Sequence, residues 1–131
     1  MRSRYQTHLS AAVIMLVVGM ALHPENVAAQ GPLLESYTAF LGSADHFNSR
    51  GARLTEPWQV IRQDRANVHR YGVRDPGDEH DSFFASIRNR DRMEQLILGG
   101  YIEPNAGWRI VNENVWVTVD IYQDSVNVSV Q

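Results

Sequence analysis

The clearest alternation along this chain lies near its C-terminus. Val115, Val117, Val119 and Ile121 alternate with Trp116, Thr118, Asp120 and Tyr122; Val126, Val128 and Val130 alternate with Asn127 and Ser129. Period two with β-branched residues predicts two strands, each with a Val face turned to a core. Gln123-Asp124-Ser125 predicts the hairpin that joins them. Trp108 to Val111 reads either as a third strand, joined through Asn112-Glu113-Asn114, or as a short helix compatible with Pro104 and Ala106. Tyr37 to Leu41 reads as a short strand or a single helical turn, because five residues do not separate the two periods.

The middle of the chain has helical spacing. A first helix is expected from near Thr55, a capping hydroxyl followed by Glu56 and Pro57, to Tyr71, where Gly72 supplies a C-terminal stop. A second is expected after Asp78 or Asp81, carrying Phe83, Phe84 and Ile87. As one rod it would put Met93, Leu96 and Ile97 on another side. A break is therefore expected near Asn89–Asp91, with Asp91 as N-cap of a third helix ending at Gly99-Gly100. Asn48-Ser49-Arg50-Gly51 and Asp75-Pro76-Gly77-Asp78 read as turns, and residues 30–36 as a tether. The expected fold is α+β: two to three short helices packed on a small C-terminal antiparallel hairpin or three-stranded meander.

A different pattern occupies the first 29 residues. Arg2 and Arg4 precede an apolar run from Leu9 to Leu22; His23-Pro24 breaks it, and Val27-Ala28-Ala29 places small residues after it. This predicts a secretory signal peptide over 1–29, cleaved after Ala29, with residues 30–131 as one exported α+β domain. The apolar run is shorter than the roughly 20 residues a membrane span needs, so no span is expected after cleavage. The expected location is the periplasm or the medium.

Composition narrows the chemistry. The chain has no Cys, which excludes disulfides, thiol catalysis and cysteine-ligated metals. Every basic side chain is Arg, a pattern suited to bidentate recognition of carboxylate or phosphate and equally to a GC-rich genome. Residues 30–131 carry ten Arg against fourteen Asp and Glu, a charge of −4 with His neutral. No global attraction to nucleic acid follows from that balance.

The candidate chemistry gathers on the first helix. With Trp58 at zero and about 100° per residue, Val60, Tyr71, Val68 and Ile61 span an arc from about 200° to about 300°. Asp64 falls inside it at about 240°, and Arg65 at about 340°, just within its edge. A carboxylate on a core-facing stripe must be paired, hydrogen-bonded or protonated. Arg53, Arg74 and Arg90 are its candidate partners. The alternative is a site carboxylate with a perturbed pKa. On the other side Arg62, Arg65 and His69 form a cationic stripe, either solvated or able to hold an anion. With Asn48 and Arg53 of the neighbouring turn they are the candidate ligand-binding residues. Trp108, Trp116 and Tyr122 are candidates for an aromatic surface, unless Tyr37 and Phe40 pack over it. Acids between Asp75 and Asp81 lack EF-hand spacing and read as capping residues; no metal or other cofactor is expected.

The segments Asp45 to Leu54 and Arg62 to Gly72 resemble small uncharacterised exported proteins of Gram-negative bacteria, over about residues 37–100. The resemblance implies export and supplies no substrate. The expected function is a periplasmic or secreted binding module whose partner is a protein or anionic ligand of the cell envelope. The rival is a small secreted hydrolase using Asp64 or His69 with Asp45 and His46. A structural envelope protein is the third reading.

Overall fold

The computed structural model describes residues 30–131; the expected signal peptide lies outside the described residues. Among the described residues the fold is α+β, with four helices and one four-stranded sheet. Strand β1 (Glu35–Leu41) is followed by a 3-10 turn, Ser43–His46, and then by helix α1 (Pro57–Tyr71). A second 3-10 turn, Phe83–Ala85, leads into α2 (Ile87–Asp91) and α3 (Met93–Leu98). Strand β2 (Tyr101–Ile102), helix α4 (Ala106–Asn112) and strands β3 (Val115–Ile121) and β4 (Val126–Val130) complete the chain.

The sheet order is β1-β3-β4-β2. β1 pairs antiparallel with β3, setting Tyr37 opposite Val119. β3 pairs antiparallel with β4, whereas β2 runs parallel to β4. This corrects the expected C-terminal hairpin or meander. The hairpin exists, but an N-terminal strand and a parallel two-residue strand extend it into a mixed sheet. A two-residue strand carries no readable periodicity, and β1 shows its strand character only through its pairing. The Trp108–Val111 segment resolves as helix.

One sheet face carries the core. Tyr37, Ala39 and Leu41 of β1 lie with the Val residues of β3 and β4 against Val60 and Ile61 of α1, Phe84, Met93, Leu96 and Ile110. Alternation on β3 is strict, odd residues inside and even residues half-buried, as expected for a sheet covered on one side. The outer face is mostly polar: Ser36 Oγ donates to Asp120 at 2.7 Å and Thr38 lies beside Thr118. Its aromatic part is divided. Phe40 packs on Trp116 with ring centroids 5.4 Å apart, Tyr37 points to the other face, and Trp108 stands exposed on α4.

The helix ends show which local signals act. α1 starts at Pro57, with Glu56 rather than Thr55 as its cap; Gln59 Oε1 accepts the backbone N–H groups of Thr55 and Glu56 at 3.0 and 3.1 Å. Gly72 ends it at φ 68°, in the left-handed region. The α2–α3 junction falls at Arg92, not at Asp91, and Ile87 stands exposed instead of joining Phe84 in the core. At the end of α3 the second glycine has a tertiary reason as well: a Cβ on Gly100 would overlap the Val126 carbonyl.

The expectation of a loose N-terminal segment changes, whereas the expected turn at Asp75–Asp78 forms, with Asp78 N–H donating to Asp75 O at 3.2 Å. Residues 30–36 are no tether: Leu34 N–H donates to Ile121 O at 2.8 Å, Gln30 reaches Asn127 at 2.9 Å, and β1 begins at Glu35. The acids before α2 close the free edge of β1. Glu79 accepts the Thr38 N–H and Asp78 the Phe40 N–H, both at 2.7 Å, while Glu79 N–H donates to Thr38 O. An edge so covered offers no template for another strand.

Candidate functional site

Helix α1 turns two charged side chains inward. Asp64 is 2% exposed and Arg65 fully buried. The wheel placed Asp64 correctly, but none of its three expected partners binds it. Arg65 does, donating from Nε to Asp64 Oδ2 at 2.7 Å. Arg53 instead donates to the Val111 carbonyl at 2.8 Å, and Arg90 to the carbonyls of Phe84 and Ala85. Sequence neighbours on a helix do not normally face each other. The long Arg side chain overcomes that angle by folding over the Tyr37 ring, 4.2 Å from its centroid.

Arg65 also joins α1 to the segment before α2. Its Nη1 donates to Asp81 Oδ1 at 2.8 Å; His69 Nε2 lies 2.9 Å from the same oxygen, and Phe84 N–H donates to Asp81 Oδ2 at 2.7 Å. The two carboxylates beside Arg65 therefore titrate in opposite directions. Burial dominates at Asp64 and lifts its pKa from 3.8 to about 7, against the attraction of Arg65. Burial acts on Asp81 too, but hydrogen bonds from Arg65, His69 and the Phe84 backbone outweigh it and hold Asp81 below its usual value. Tyr37 is pushed well up by burial, with Arg65 opposing.

The expected hydrolase group does not converge. His69 meets Asp81 rather than Asp64. Asp45 accepts the Gly42 N–H at 2.9 Å and the Asn67 amide at 2.8 Å, and His46 pairs with the Ile110 carbonyl at 3.0 Å. Asp45, His46 and Asp64 are all buried, and each is held by a structural partner. Burial raises the pKa of Asp45, against hydrogen bonds from Asn67 and Gly42. Among the described residues no group of three or more His, Cys, Asp or Glu could hold a metal ion.

The opposite face of α1 borders two adjoining hollows. A small one, about 120 Å³, lies between α1 and α2, with Arg62, Arg70, Arg90 and Asp91 around it. A broader one, about 510 Å³, extends past Asn67 to Phe47, Asn48 and Val73. Ser49, Gln63 and Tyr71 border both. Of the expected ligand-binding residues, Arg62 and Asn48 reach this surface. Arg65 does not; it is sealed beneath it, so the expected continuous Arg62/Arg65/His69 stripe is not formed. Arg53 lines neither hollow; it stacks over Phe47, which borders the broad one, at 5.4 Å. Asn48 Oδ1 holds its own turn, accepting the N–H groups of Arg50 and Ala52 at 2.9 Å each.

Arg70, Gln63 and Tyr71 were missed as candidates. Arg62, Ala66 and Arg70 recur every fourth residue, so a small residue between two guanidinium groups was a readable signal. Arg90 and Asp91 come from α2, and nothing in α1 announces them. Comparison with protein-family models, curated proteins and solved structures gives no significant match for this chain.

Proposed function

We propose that this protein is exported to the cell envelope and acts there as a binding module, with the outer face of α1 as its contact surface. The observation that carries the reading is the pair of adjoining hollows around Tyr71, edged by Arg62 and Arg70 on one side and by Phe47 and Val73 on the other. Guanidinium groups beside exposed aromatic and aliphatic carbon suit a ligand with both an anionic and an apolar part. Tyr71, Phe47, Val73 and Ile87 are the exposed large hydrophobics of this region. Export is supported by the cationic head, apolar run and Ala28-Ala29 of the N-terminus.

The hydrolase reading has less support, because its carboxylates are enclosed and separately bonded. The test has two parts. N-terminal sequencing of the protein from its native host should begin at Gln30; a cytosolic pool that retains Met1 overturns export. Capture from envelope extract, read by mass spectrometry, should recover a component that Tyr71→Ala loses. Equal recovery by the variant overturns the surface.

A further inference from the structure

We infer that the small hollow between α1 and α2 is a site for a phosphomonoester group, with the body of the ligand lying in the broader hollow beside it. The inference rests on reading the outer face of α1 as a binding surface and names what that surface would take.

Charge is the first argument. Three guanidinium groups, Arg62, Arg70 and Arg90, border the hollow with one carboxylate, Asp91. The formal balance is two positive charges. A phosphomonoester brings about −1.5 to −2 at pH 7. Existing bonds leave most of the donors uncommitted. Each guanidinium has five N–H groups in a planar fork. Arg62 gives one to Asp91 at 2.6 Å, in a pair whose side chains are 47% and 54% exposed. Arg70 has no ion pair among the described residues. Arg90 is 7% exposed, and only its Nη1 is held by the Phe84 and Ala85 carbonyls. That anchoring fixes the Arg90 side chain where it lines the hollow, which a flexible surface Arg would not do.

Size is the second. About 120 Å³ is room enough for one tetrahedral oxyanion. The shared border of Ser49, Gln63 and Tyr71 leads into the hollow of about 510 Å³, where Phe47 and Val73 supply apolar wall. An esterified phosphate seated in the first can therefore rest an apolar substituent in the second. Asp91 is the one group that opposes the anion, so removing its charge should tighten binding while removing an Arg should weaken it.

The test uses protein expressed from the full-length sequence and titrated calorimetrically with phenyl phosphate, inorganic phosphate and phenol. Phenyl phosphate should bind more tightly than inorganic phosphate, and phenol should not bind measurably. Arg70→Gln, at an exposed position, should weaken phenyl phosphate about tenfold, the scale of one charge-assisted hydrogen bond. Asp91→Asn should strengthen it several-fold; thermal melts of both variants report that they fold. Arg62→Gln serves as the second Arg variant if Arg70→Gln melts early. No binding of phenyl phosphate, equal binding of phenol, or an unchanged affinity in the Arg variants overturns the site. Cosedimentation with vesicles containing phosphatidate, lost in Arg70→Gln, identifies a lipid headgroup as the source. Phenyl phosphate binding without vesicle binding identifies a soluble ester; both outcomes support the site. If an envelope component is still captured and Tyr71→Ala loses it, while phenyl phosphate does not bind, the phosphate site fails and the binding surface stands.

Discussion

Arg62 and Arg65 are three residues apart on one helix and have opposite fates. Arg65 lies fully buried over Tyr37 between Asp64 and Asp81, whereas Arg62 remains about half exposed beside Asp91. The inner face of α1 uses charge to dock the helix and the segment before α2; the outer face leaves charge at the rim of a hollow. A cationic stripe read from spacing alone merges these two. Burial separates them, because a desolvated guanidinium needs counter-charges beside it, as Arg65 has in Asp64 and Asp81 through Nε and Nη1, while a solvated one does not.

Arg65→Met is the strongest way to break this contrast. It leaves Asp64 and Asp81 without their shared cation and should destabilise the fold by about 3–5 kcal/mol, seen as a large drop in melting temperature. A loss below about 1 kcal/mol, the scale of a surface pair, would mean that Arg65 is not a structural hub. Asp64→Ala should cost less, about 1–2 kcal/mol, because Arg65 keeps Asp81 as counter-charge; an equal cost for the two variants would remove the asymmetry between the carboxylates.

That asymmetry also sets a pH dependence. The folded pKa of Asp64 is raised from 3.8 to about 7. Its contribution is thus fully present below the unfolded value and lost as pH rises through about 7. Asp45 is raised as well and acts in the same sense. Asp81 is lowered, so its contribution is present above the unfolded value and lost as pH falls through its folded one. The melting temperature should fall between about pH 4 and about pH 7, and Asp64→Asn should flatten that fall. A flat wild-type profile would contradict the burial-driven shift of Asp64.

The smallest effect is expected outside. Arg62→Ala breaks only an exposed pair and should change stability by about 0–1 kcal/mol, measured by denaturant titration. A loss comparable to that of Arg65→Met would place both faces in one structural network and undo the comparison.

The local pattern of the chain was sufficient for several elements. Alternation on β3 and along most of β4, the Gly72 stop and the inward placement of Asp64 each depend on one segment's own period or one residue's conformational freedom. The same pattern could not choose partners. Asp64 pairs with Arg65 instead of a distant Arg, and Asp78 and Glu79 close the edge of β1 instead of merely capping a helix. The candidate surface was half legible: Arg62 and Asn48 lie on it, while Arg90 and Asp91 join it from α2.

Period and turn chemistry along the chain were thus enough to establish the α+β class, the Val-faced strands and a charged residue inside α1. Folding in three dimensions determined that β1 and β2 complete a mixed sheet, that Arg65 is enclosed and that Arg62 and Arg70 meet Arg90 across a hollow. The physical reason is range: a segment's periodicity records which of its faces avoids water, but which side chain neutralises a buried charge depends on segments distant in sequence arriving at the same place.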